Sequence, residues 1–153
     1  MPEISTPSIS LNGHRVELDS EWELGELNTS LEEVINFAKV IDPLPFHTDP
    51  EAAKKTHFGR LIAPGTMMYS EYHKRVFIPM FLPTIIAGQS VRNWNFYLPH
   101  FPDRPYYCTL KVAAIDLREG SGFASITWHF LMRDAKGTLV QEVYPQILHK
   151  LDS

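Results

Sequence analysis

A single cysteine, Cys108, among 153 residues leaves nothing for an internal disulfide to close. Runs of cations are missing too: 14 Lys and Arg stand against 18 Asp and Glu, a formal net charge of -4, with no basic cluster. Affinity won by neutralising phosphates needs such a cluster, so nucleic acid is excluded as the leading partner. No apolar run has membrane length. The most apolar stretch, Val76 to Gly88, falls short of the roughly 20 residues a bilayer helix needs and is interrupted by Pro79 and Pro83, which excludes a membrane anchor. The opening Met1 to Ser8 has neither a basic nor an apolar leader region, so with the lone cysteine the expected location is a reducing cytoplasm. What is present is core material: 44% hydrophobic residues, 12% aromatic and only 21% charged, outside the composition of disorder. The length fits one domain over 1–153, without repeats or low-complexity segments.

The periodicity changes character twice. From Gly13 to Leu24, Val16, Leu18, Trp22 and Leu24 mostly alternate with polar residues, which predicts a half-buried strand. Ser30-Leu31-Glu32-Glu33 then has capping-box form, and Leu31, Val34, Ile35, Ala38 and Ile41 make one apolar helical stripe, stopped by Asp42-Pro43-Leu44-Pro45. Asp49-Pro50-Glu51 restarts a short helix with an N-cap, a proline in the first turn and an acid. Pro64-Gly65 marks a turn before a third helix, Thr66 to Phe77. The segment Val76 to Ile86 reads as core, with the alternative of a loop covering an apolar pocket or a dimer contact. Beyond Gly88 strand patterns take over: Trp94, Phe96 and Leu98 alternate, Tyr106 to Leu117 and Phe123 to Met132 follow. Asp134-Ala135-Lys136-Gly137 then forms a hairpin loop into Thr138 to Leu148. Strands collected after a helical block predict an α+β layer with an antiparallel sheet around one long helix.

Chemistry concentrates between Ile41 and Ser70. Asp42 and His47 lie five residues apart on a proline-stiffened loop. A carboxylate and an imidazole so placed can hold one water and move its protons. Gly65 opens a helix, whose unpaired N–H groups suit a developing oxyanion. Taken alone, an Asp before a Pro is most often a turn or cap residue, and a loop His a hydrogen-bonded structural one. The other histidines, His14, His57, His73, His100, His129 and His149, show no ligand spacing, and no metal or cofactor is expected. Cys108 reads as a buried small side chain, and nucleophile-elbow, dinucleotide and P-loop motifs are missing.

Residues 30 to 70 closely resemble the MaoC-like, or (R)-specific enoyl-CoA hydratase, family of hot dog fold proteins. Its pattern D-x-N-P-x-H-x-D, an Ala-containing helix, then F-G-x-x-I-A-H-G-M-L-x-x-S is met without a gap. Asp42, Pro45, His47, Asp49, Ala52, Phe58, Gly59, Ile62, Ala63, Gly65 and Ser70 stand at its positions. Phe96-Tyr97-Leu98-Pro99 resembles the later F-x-x-P element, and Gly137 falls at the last hairpin, so the resemblance extends loosely over nearly the whole chain. It implies a hot dog fold, with the helix from Gly65 to Phe77 at the centre, and a homodimer or a higher even-numbered oligomer. It also implies hydration of a trans-2-enoyl thioester of CoA or acyl carrier protein to the (R)-3-hydroxyacyl thioester, or the reverse dehydration, without cofactor. In these terms Asp42 and His47 are the catalytic dyad, and Gly65 and Ser70 bind substrate, the Gly65 N–H meeting the thioester oxygen. Leu44 replaces the family's Asn, Pro64 its His before the glycine, and Asp103-Arg104 its later Gly-Asp. Two alternatives stand beside this activity: a hot dog thioesterase, and a catalytically silent acyl-thioester-binding subunit.

Overall fold

The computed structural model describes residues 7–153; the leader reading reached into residues 1–6, which lie outside them. Two short strands, β1 (Ile9–Leu11) and β2 (His14–Val16), form a hairpin closed by Asn12 and Gly13, both with positive φ. The single strand expected over Gly13 to Leu24 is broken after β2. Glu17 to Ser20 makes a turn, Ser20 N–H donating to Glu17 O at 3.1 Å, and leaves Leu18 exposed before β3 (Glu21–Leu27) begins. Asp19-Ser20 is the turn chemistry that interrupts the alternation.

The first helix, α1 (Leu31–Ile41), starts at the expected capping box, with Ser30 and Glu33 each accepting the other's backbone N–H. Val34 and Ala38 of its stripe are buried, whereas Leu31 and Ile41 at the two ends stay exposed. The loop expected next contains a further element, α2 (Pro45–Thr48), because a proline in the first turn lacks only an N–H that would go unpaired anyway. The following helix, α3 (Pro50–Ala53), is capped by the Asp49 side chain as the sequence predicts.

The central helix is longer than expected. It runs as α4 (Met67–Tyr72), a π-helical turn at His73–Phe77 and α5 (Ile78–Phe81), then a 3-10 turn at Leu82–Thr84. The wide turn precedes Pro79: Ile78 N–H reaches back five residues to His73 O, which eases the clash a proline ring makes inside a regular helix. So Val76 to Ile86 is helix end and strand start, with Phe77 and Phe81 wholly buried.

Four long strands follow: β4 (Ile85–Phe96), β5 (Tyr106–Arg118), β6 (Phe123–Asp134) and β7 (Leu139–Lys150). They join β3 in one antiparallel five-stranded sheet of order β3-β5-β6-β7-β4. Gly137 closes the β6–β7 hairpin at φ 83°, as its position predicts. The sheet wraps the central helix, so Met68, Tyr72, Phe77 and Phe81 meet Leu110, Ile126, Trp128 and Phe130 in one core. Burial of each such side chain stabilises by about 1.5–3 kcal/mol. A second small cluster, Val34, Ala53, Leu61, Ala63 and Met67, seats α1 and α3 beside the start of the central helix. That seat brings Asp42 to His47, and His47 to the cavity that Gly65 lines.

Candidate active site

Asp42 is the C-cap of α1. Its N–H donates to Ala38 O at 2.8 Å, and its side chain remains 42% exposed. His47 lies in the last turn of α2 and is 4% exposed, its ring against Phe46. The His47 Nδ1 atom is 2.6 Å from Ile62 O. A carbonyl oxygen only accepts, so Nδ1 carries the proton and the neutral ring has its lone pair at Nε2. That lone pair lies 3.4 Å from Asp42 Oδ2. Two acceptors at this separation call for a shared proton or a bridging water.

Gly65 faces the same space from the turn before α4. Its N–H donates to no group among the described residues, while its carbonyl accepts from Gln141 Nε2 at 3.0 Å. Its φ lies outside the left-handed region, so the glycine is required for a different reason: a Cβ there would stand 2.9 Å from Cε1 of Phe96. His47, Gly65, Ile62, Phe96, His100 and Gln141 all line a cavity of about 240 Å³. Asp42 is not part of that wall and touches the site through His47. Ser70 is turned away: its Oγ donates to Thr66 O, one helical turn back, at 2.6 Å, and it does not line the cavity.

The structure adds three residues to those read from the sequence. Gln141, 1% exposed, anchors the Gly65 carbonyl from β7, and Phe96 of neighbouring β4 covers Gly65. His100, 2% exposed, has Nε2 3.3 Å from Thr29 Oγ1, and burial pushes its pKa down to about 4, so its ring is neutral. Its carbonyl accepts the Ala63 N–H, which ties the segment after β4 to the strand-like stretch before Gly65. In the sequence Phe96 stood within the strand alternation and the F-x-x-P match, with nothing to place it over Gly65; Gln141 and His100 carried no site signal, since their partners are 76 and 71 residues away.

The departures from the family pattern have local consequences. Leu44 sits at the N-cap of α2 and provides no side-chain hydrogen bond there, although its carbonyl still accepts from His47 N–H. Pro64 accepts from Met67 N–H and so begins the central helix without needing a donor of its own. Asp103 adopts φ 59° and donates its N–H to Thr29 O. Cys108 is 1% exposed, and burial raises its thiol far above the ordinary range. Among the described residues no group of three or more His, Cys, Asp or Glu could hold a metal, and no helix is long and apolar enough to cross a membrane.

The family model for the MaoC-like domain matches residues 17–122, which include the whole stretch from Asp42 to His100. The chain belongs to the MaoC-like domain family. Its sheet and helix superpose on the (R)-hydratase from A. caviae involved in PHA biosynthesis with a TM-score of 0.66 and 25% identity, over 90% of this chain and 98% of that one. Against the MaoC-like dehydratase from Rhodospirillum rubrum the TM-score is 0.75 at 23% identity, over 89% and 94%. The fold is the hot dog fold. A curated relative, the uncharacterized protein YdeM of Bacillus subtilis, is 30% identical over 87 residues, which span 56% of this chain and 62% of that protein.

Proposed function

We propose that the protein adds water to a trans-2-enoyl thioester, carried by CoA or an acyl carrier protein, to give the (R)-3-hydroxyacyl thioester, or catalyses the reverse dehydration. The observation that supports this most directly is the His47 Nε2 lone pair 3.4 Å from Asp42 Oδ2, beside a cavity lined by Gly65, whose N–H has no partner among the described residues. A water donating one hydrogen to each acceptor keeps its oxygen lone pairs free for C3. As the O–C3 bond forms, the C2=C3 electron pair moves through C1 onto the thioester oxygen, where the Gly65 N–H stabilises the enolate charge. The proton lost by the water passes to the dyad at Nε2, and a proton from the dyad goes to C2, which restores the carbonyl. Membership of a family that includes dehydratases supports the same reaction class.

The assay is incubation with crotonyl-CoA, following enoyl absorbance and free thiol together. Loss of absorbance without thiol release is expected. Thiol release would make the protein a thioesterase, and binding without either change would make it a silent acyl-binding subunit.

A further inference from the structure

Beside the cavity lies a second groove of about 310 Å³, walled by the segment after β4 and the β6–β7 hairpin, and the two share Leu98 and Pro99. Its floor is apolar, from Phe101, Tyr106 and Val140, but its charged lining is mostly cationic: Arg104 and Lys136 against Asp134. Asp134 turns its Oδ1 into its own hairpin, where it accepts the N–H groups of Lys136 and Thr138. A third cation stands against the groove's Phe101 from the loop that leads to Gly65: the Arg60 guanidinium carbon lies 4.9 Å from the Phe101 ring centroid, and that of Arg104 lies 4.3 Å from it. Among the described residues none of the three cations joins an ion pair, whereas Arg75 bonds both Glu33 and Glu71. An aromatic face holds a guanidinium in place without using its in-plane N–H donors, and those donors match phosphate oxygens. In a protein of net charge -4, two arginines on one ring and a lysine in the lining of the same groove concentrate positive charge locally.

We propose that Arg60 and Arg104, with Lys136, bind the phosphate of the substrate's carrier, so that its pantetheine arm passes over Leu98 and Pro99 and brings the thioester to Gly65. The inference rests on reading the cavity as a thioester site. CoA and holo acyl carrier protein share one phosphate at the head of the pantetheine arm, and CoA adds a nucleotide, so the chemistry recognised is a phosphate ester in both cases.

Calorimetric binding tests this independently of turnover, with CoA, 4′-phosphopantetheine and pantetheine as probes. The Arg60→Gln/Arg104→Gln double variant is expected to bind CoA at least about tenfold more weakly than the wild type, the scale of one good charge-assisted contact, with pantetheine binding changed less than about twofold. Lys136→Gln, which leaves the Phe101 ring alone, gives a smaller loss of the same selectivity. Arg118→Gln, at the far end of β5, is the charge control and leaves CoA binding unchanged. Weakening seen with 4′-phosphopantetheine assigns the cations to the phosphate both carriers share, and weakening seen only with CoA assigns them to the nucleotide. CoA binding equal in wild type and double variant, equal losses for CoA and pantetheine, or no CoA binding by the wild type would overturn the proposal. Selective CoA binding without turnover of crotonyl-CoA would leave it standing and remove only the hydratase reading.

Discussion

At the scale of single residues the site depends on which atoms carry protons. Ile62 O fixes the His47 tautomer through a 2.6 Å contact, so the free lone pair faces Asp42 whatever substrate enters. Positioned proton transfer contributes about 10²–10⁴ in rate, and Asp42→Asn and His47→Ala are each expected to lower turnover of crotonyl-CoA by that order with the fold kept. Steady-state kinetics check this; both variants retaining more than about half the wild-type rate would show that the chemistry lies elsewhere. Gly65 is constrained differently. Its φ would accept any residue, but Phe96 occupies the space of a Cβ. Gly65→Val therefore has to displace the ring into the cavity, and turnover is expected to fall by roughly 10² or more, the scale of a lost oxyanion donor. Circular dichroism monitors the fold, and a folded Gly65→Val protein with normal turnover would place the thioester oxygen away from this N–H.

Between residue and molecule, the elements act in pairs. Paired β4 and β7 hold the Pro64–Gly65 turn from one side, Phe96 by contact and Gln141 by its amide, while α2 delivers His47 from the other. Replacing Gln141 with Leu leaves the Gly65 carbonyl without that partner. An unsatisfied, largely buried acceptor costs about 1–3 kcal/mol, several degrees of Tm for a chain of this size. If Gln141 also sets the direction of the Gly65 peptide, Gln141→Leu lowers kcat with little change in KM, and Gln141→Asn does not restore it because its amide is one methylene short. A Tm loss with unchanged kcat would reduce Gln141 to a structural anchor. The central helix shows the same coupling. Its π-helical turn at His73–Phe77 lets the chain pass Pro79 and still deliver Phe77 and Phe81 to the sheet.

For the whole molecule the exposed strand is β4. It is an edge of the sheet and most of its residues are exposed, including Ile86, Val91 and Phe96. An edge of 12 residues that no strand pairs among the described residues, with apolar side chains exposed along it, is a template for another strand, and a two-fold partner would cover it. Light scattering at micromolar concentration is expected to give an even multiple of the 17.5 kDa chain; a stable monomer would leave β4 unexplained. Two buried imidazoles make stability depend on pH. Burial lowers both His100 and His149 to about 4 from the usual 6.5, and His149 Nε2 already accepts from Trp128 Nε1. The folded state therefore binds fewer protons than the unfolded chain in this range, so the stabilisation is complete above pH 6.5 and is lost as pH falls towards 4. Thermal melts from pH 7 to pH 4.5 are expected to show falling Tm with a shallower slope in His149→Gln; equal slopes would contradict the assignment.

Sequence by itself determined what local chemistry decides. The capping box of α1, the Asp49 cap, the Gly137 hairpin and the order of helices before long strands are set by neighbours a few residues apart, so they were legible without coordinates. Asp42, His47 and Gly65 could be singled out because their spacing within one short segment carries a family pattern. The Glu17–Ser20 break, α2 and the extension of the central helix past Phe77 rest on turn and proline chemistry that fits more than one element in one dimension. What depends on distant pairing was not legible. The Phe96 ring over Gly65, the Gln141 amide on its carbonyl and the arginines on Phe101 follow from which strands pair and which loops meet. That is a property of the closed sheet, in which residues 76 apart in the chain become hydrogen-bonding neighbours.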